Sequence, residues 1–107
     1  MKENLQKIFD TVSNHLLNQN QKAINDVGNC KYRYGNLKCA AGCLISDSDY
    51  QFSMEGFSVL DLEYFKDRFN NSELELLSKL QIIHDQTPVK YWKSKLNDLK
   101  KEILNHE

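Results

Sequence analysis

Leu5, Ile8, Phe9, Val12 and Leu16 fall at the i, i+3, i+4, i+7, i+11 spacing of one helical face. A chain with such a stripe has to bury it against other elements, so the spacing predicts a helix over about 2–19 with its apolar face inward. A second stripe, Val89, Trp92, Leu96, Leu99 and Ile103, holds a seven-residue pattern near the other end. Thr87 ahead of Pro88 supplies an N-cap and a proline for the first helical position, which predicts a last helix over about 88–104. With one proline and four glycines in 107 residues, the expected organisation is a single domain over 1–107, without a tethered tail.

Between the two stripes, Asn18-Gln19-Asn20-Gln21 breaks the first helix and Gly28-Asn29 closes the segment after it. Cys30-Lys31-Tyr32-Arg33-Tyr34 and Leu37-Lys38-Cys39 flank Gly35-Asn36, the pattern of a small β-hairpin near 30–39. A lone hairpin is marginal in water, so it must lie on the helices. Cys39 to Ile45 is small, apolar and uncharged, which predicts a buried, closely packed central helix. From Ser46 to Gly56 no period holds, and a loop containing Tyr50, Phe52 and Met54 is expected. Ser58-x-x-Asp61 and Ser72-x-x-Glu75 have the form of capping boxes and predict helices over about 58–69 and 72–86, joined at Asn70-Asn71. The fold class is therefore mainly α, four to five helices with one short hairpin.

Apolar residues are 40% of the chain and charged residues 27%, within the globular range and far from the composition of disorder. No apolar run is long enough to span a membrane, and Met1-Lys2-Glu3-Asn4 has no hydrophobic leader, so a cytoplasmic protein is expected. The three cysteines are then read as thiols. A formal net charge of -1 removes the basic field of a non-specific nucleic-acid binder. The charge is uneven: residues 46–75 hold eight acidic and two basic groups, against three and six in residues 1–45.

A succession of short motifs carries a resemblance: Lys38-Cys39-Ala40-Ala41-Gly42-Cys43-Leu44-Ile45, then Asp47, Tyr50 and Glu55-Gly56, then Leu80-Gln81, His84-Asp85 and Trp92. In order and spacing, from Cys30 to Trp92, it resembles a family of small uncharacterised proteins encoded by phages, prophages and plasmids. Ser46 stands where that family usually has a proline, and Tyr34-Gly35-Asn36 where it often has a Gly-Pro hairpin. The resemblance implies a mobile-element setting and no transferable activity.

Two site chemistries compete with plain structural readings. Cys30, Cys39, Cys43 and His84 offer three thiols and an imidazole for zinc; Cys30 lies nine residues before Cys39, while Cys39 and Cys43, four apart, share a helical face, which makes Cys39, Cys43 and His84 the possible site. The plain reading treats them as small apolar side chains in a core, with no cofactor. Alternatively, Cys39 in the first turn of a helix beside Lys38 would be an activated nucleophile, with His84 as base and Asp85 to orient it. Neighbouring positions on a helix point in different directions, so Asp85 is not expected to reach His84. The plain reading has His84 bonding loop backbone near the hairpin. Asp47-Ser48-Asp49 lacks the glycine and terminal glutamate of a calcium loop and reads as a turn. Lys31, Arg33 and Lys38 among Tyr32 and Tyr34 form a weak single-strand platform, with the tyrosines packed inward and the basic groups in water as its plain reading.

The acidic block bears most on function. Asp47, Asp49, Asp61, Glu63 and Asp67 predict a surface for a host or phage protein with a basic face, not for DNA. The leading expectation is a non-enzymatic protein-binding accessory factor, and the alternative is a cysteine-dependent or metal-assisted enzyme using Cys39 and His84.

Overall fold

A computed structural model describes residues 2–105; Met1, His106 and Glu107 lie outside the described residues. The fold is mainly α with one two-stranded antiparallel hairpin. Helix α1 runs Lys2–Gln19, strands β1 and β2 are Arg33–Tyr34 and Leu37–Lys38, α2 is Glu63–Lys66, α3 is Asn71–Gln86 and α4 is Trp92–Asn105. Three 3-10 turns lie between them, at Gly42–Leu44, Phe52–Met54 and Val89–Tyr91.

The α1 stripe goes inward: Ile8, Phe9, Val12 and Leu16 are buried, and the helix packs on α3 and α4. Asn20 ends it at φ 54, the left-handed position that asparagine tolerates, with its N–H on the Leu16 carbonyl. The hairpin pairs Arg33 with Lys38 and Tyr34 with Leu37, and Gly35 at φ 62 takes the corner that needs a positive φ. Two residues at the end of α1 hold it in place. Gln19 accepts the Lys38 N–H at 2.9 Å and donates to the Lys38 carbonyl at 2.8 Å. His15 Nε2 bonds the same carbonyl at 2.9 Å. The hairpin lies on a helix, as its marginal stability alone requires.

The Cys39–Ile45 segment is buried at Cys39, Ala40, Ala41 and Ile45, but it is a turn and one 3-10 turn, not a central helix. Both ends are tied down: Cys39 N–H donates to the Tyr32 carbonyl at 3.2 Å and the Arg33 guanidinium donates to the Ile45 carbonyl at 2.6 Å. Gly42 sits so close to the hairpin that a Cβ there would lie 2.1 Å from the Tyr32 carbonyl oxygen.

The expected helix over 58–69 reduces to α2. The Ser58 hydroxyl donates to Asp61 at 2.9 Å in place of capping a helix, and Leu62 is extended. This break lets Val59, Leu62 and Phe65 all enter the core, where Phe65 meets Tyr32, Tyr64 and Phe69 at ring centroid distances of 6.1, 5.6 and 6.2 Å. The box capping α3 starts at Asn70, not Ser72: Asn70 Oδ1 accepts the Glu73 N–H at 2.9 Å, and Glu73 accepts the Asn70 N–H at 2.8 Å. Thr87 likewise ends α3 and caps no later helix. Pro88, at ψ 141, leads into the 3-10 turn, and α4 proper begins at Trp92.

Candidate functional site

His84, in the last turn of α3, is fully buried, and its ring lies 5.6 Å from that of Trp92. Its Nε2 accepts the Ala23 N–H at 3.0 Å. A backbone N–H only donates, so the lone pair is on Nε2 and the proton on Nδ1, which donates to Asp85 Oδ1 at 2.7 Å. The expectation that Asp85 could not reach its neighbour is thus corrected. At the end of the helix the Asp85 carboxylate folds back across the His84 ring edge. Gln81 Nε2 donates to the same oxygen at 2.7 Å, while Gln81 Oε1 accepts the Ala41 N–H at 2.9 Å. Burial works against the Asp85 charge, but the bonds from His84 and Gln81 outweigh it and hold the carboxyl below the usual carboxylate range. The network fastens two loop segments, at Ala23 and Ala41, to one helix, α3.

The cysteine facing this network is Cys30, not Cys39. Cys30 is brought there by an isolated bridge between Ile24 and Cys30, a pairing with no local signal in the sequence. Although the residue is exposed overall, its thiol faces Asp85. Partial burial, then the adjacent carboxylate, push it up to about 11. Cys39 is buried, its sulfur accepts the Gly42 N–H at 3.2 Å, and burial drives the thiol well above its ordinary range. Cys43 donates to the Ala40 carbonyl at 3.0 Å, and burial pushes it up to about 12. A nucleophile needs a lowered pKa and a base with a free lone pair. All three thiols are shifted the opposite way, and His84 has spent its lone pair on Ala23.

Among the described residues, Cys30, His84 and Asp85 are the one group able to present metal ligands together, with ligand atoms within 4.8 Å of one another. The expected trio of Cys39, Cys43 and His84 is not that group. A metal on Nδ1 would displace the ring proton to Nε2, where it would face the Ala23 N–H donor at 3.0 Å. Ligating histidines normally offer their second nitrogen to an acceptor, so the trio is built as a hydrogen-bonded lock and does not fit a metal.

Beside the lock opens a cleft of about 380 Å³ between α3 and the 55–59 segment, lined by Gln81, Ile82 and Asp85 of α3, by Phe57 and Val59 of that segment, and by Cys30. Its rear wall is fixed by Glu55, which accepts the N–H groups of Tyr32 and Arg33 at 2.8 and 3.1 Å and the Tyr50 hydroxyl at 2.6 Å. Tyr32 is itself buried and donates to the Phe57 carbonyl, so it offers no ring for stacking a base. Contrary to the expectation that Arg33 faces water, its guanidinium turns inward over the Tyr50 ring at 4.9 Å.

The acidic residues do not form one uniform face. Asp47 pairs with Arg33 at 2.8 Å and Lys38 at 3.5 Å, and these charges, Lys38 foremost, lower its pKa. Asp49 accepts the Tyr64 hydroxyl at 2.9 Å and pairs with Arg68 at 3.8 Å. Glu63 lies 3.9 Å from Lys66, Asp61 holds Ser58, and Asp67 is exposed. No helix is long and apolar enough to cross a membrane among the described residues. No family model, curated protein or solved structure matches this chain.

Proposed function

We propose that this chain is a non-catalytic binding protein, a cytoplasmic accessory factor of a phage or other mobile element that docks onto a host or defence protein with a basic surface. The observation that carries the reading is the exposure of Phe57, Leu60 and Ile82, at 54, 50 and 49%. Phe57 and Ile82 line the cleft, while Leu60 lines the neighbouring hollow that shares Ser78 with it. Grouped apolar side chains edged by charge are the composition of an interface. Asp61 follows Leu60 directly, with Glu63 and Asp67 further along the same segment, and their charge favours a partner with a basic rim around an apolar knob. The alternative, cysteine chemistry, is disfavoured by the raised thiols and the engaged His84. The mobile-element setting rests on the sequence resemblance alone.

Affinity capture from a lysate of a phage-bearing bacterium, using the wild type and a Phe57→Ser/Leu60→Ser variant, tests the reading. A protein retained by the wild type and lost by the variant, at unchanged melting temperature, is the expected result. Equal retention by both overturns the assignment of the surface.

A further inference from the structure

Charge pairing within the molecule is lopsided. Arg33, Lys38, Lys66, Arg68 and Lys79 each pair with a carboxylate. Lys90, Lys93, Lys100 and Lys101 are exposed, and none is in an ion pair among the described residues. Lys93, Lys100 and Lys101, seven and eight positions apart, fall near one face of α4. Lys90 extends that face through the preceding turn, its ammonium 5.1 Å above the exposed Tyr91 ring. The acids of α4 lie elsewhere: Asp98 and Glu102 line the groove between α4 and α3, and Glu102 accepts Lys79 at 2.7 Å. Lys95 joins the acids in that groove, while Lys93, Lys100 and Lys101 stand exposed outside it.

We propose that this lysine face of α4 is a second docking surface, and that its occupant is a protein surface carrying clustered aspartate and glutamate. Charge complementarity requires an anionic occupant. A nucleic acid is disfavoured because the chain as a whole has a net charge of -1 and lacks the basic field such a ligand selects. A membrane surface is disfavoured because the apolar face that would enter it, Trp92, Leu96 and Leu99, is already buried in the core. With the patch at Phe57 and Leu60, this second surface makes the molecule a bridge between two protein faces.

The test is a titration of the isotope-labelled full chain with a short oligoglutamate peptide at near-physiological salt, beside a parallel titration with a duplex DNA oligonucleotide. The peptide should shift the amides of residues 90–101, and Lys93→Glu/Lys100→Glu should weaken it by roughly tenfold or more. Lys93→Ala/Lys100→Ala should give a smaller loss at an unchanged melting temperature, which separates lost binding from lost folding. Tighter binding of DNA through the same lysines overturns the proposal in favour of a nucleic-acid surface. Shifts confined to residues outside 90–101, or an affinity indifferent to both variants, overturn it outright. Concentration-dependent sedimentation abolished by the same reversals would make a second copy of this chain the occupant and overturn it as well.

Discussion

Gly42→Ala is the sharpest probe of how the hairpin is held. Gly42 has an ordinary negative-side backbone, so the substitution is free of conformational strain and its cost is purely steric. The new Cβ would lie 2.1 Å from the Tyr32 carbonyl oxygen and 2.9 Å from its carbon, whereas non-bonded heavy atoms settle at about 3.5–4.0 Å. Backbone cannot rotate away as a flexible side chain can, so the hairpin must retreat by about 1 Å or more. That retreat strains the Cys39 N–H bond to Tyr32 and the two bonds from Tyr32 and Arg33 to Glu55. At about 1 kcal/mol net for each bond, the loss is about 3 kcal/mol, at the upper end of the overpacking range. For a domain near this size each kcal/mol is worth about 4–8 °C, so melting should fall by about 12 °C or more. Gly35→Ala is the control, because its Cβ meets nothing within 4 Å and only the positive φ of 62 is penalised, about 1–2 kcal/mol. Thermal and urea unfolding of both variants measure the difference. A Gly42→Ala protein as stable as the wild type, or no worse than Gly35→Ala, would refute the close approach.

Cys30, pushed up from 9.0 to about 11, should react with a thiol reagent at neutral pH about a hundredfold more slowly than an ordinary cysteine. Asp85→Asn should recover part of that rate, and labelling of Cys39 ahead of Cys30 would contradict the burial order. Trp92→Ala should cost about 3–5 kcal/mol, since the ring is fully buried against His84. Trp92→Phe should cost less, chiefly the indole bond to the Thr87 carbonyl at 3.0 Å. Because the Asp85 pKa is lowered in the folded state, its stabilisation is complete above the unfolded carboxylate value, about 3.9, and is lost as pH falls through the lower folded value. Urea midpoints across acid pH should therefore drop less steeply for Asp85→Asn than for the wild type, and parallel curves would show that the carboxylate is not favoured by folding.

The long helices were legible because their evidence is local. Leu5 to Leu16 and Trp92 to Ile103 repeat at a helical period over several turns, and no tertiary contact is needed to read which face goes inward. The short elements were misread where two local solutions compete. Ser58 and Ser72 had the residues of a capping box, yet Ser58 bonds Asp61 directly and Asn70 takes the cap two positions earlier. A cap is chosen by which helix start buries the stripe behind it. Cys39–Ile45 was rightly placed in the core but wrongly drawn as a helix, because its ends are fixed by Tyr32 and Arg33.

The mainly α class, the inward stripes of α1 and α4, the two-residue turn of the hairpin and the burial of the Cys39 segment all follow from periodicity and turn chemistry within a few residues. The site, by contrast, is assembled by long-range packing. Cys30 meets Asp85 across 55 positions, and Ala23 meets His84 across 61, distances over which no pattern of spacing carries information. The electrostatics were decided in the same way. The acidic block is conspicuous along the chain, but folding brings Arg33 to Asp47 and Arg68 to Asp49 while leaving the α4 lysines without carboxylate partners among the described residues. A charge acts through the neighbours it has in space, and those are assigned only when the chain closes on itself.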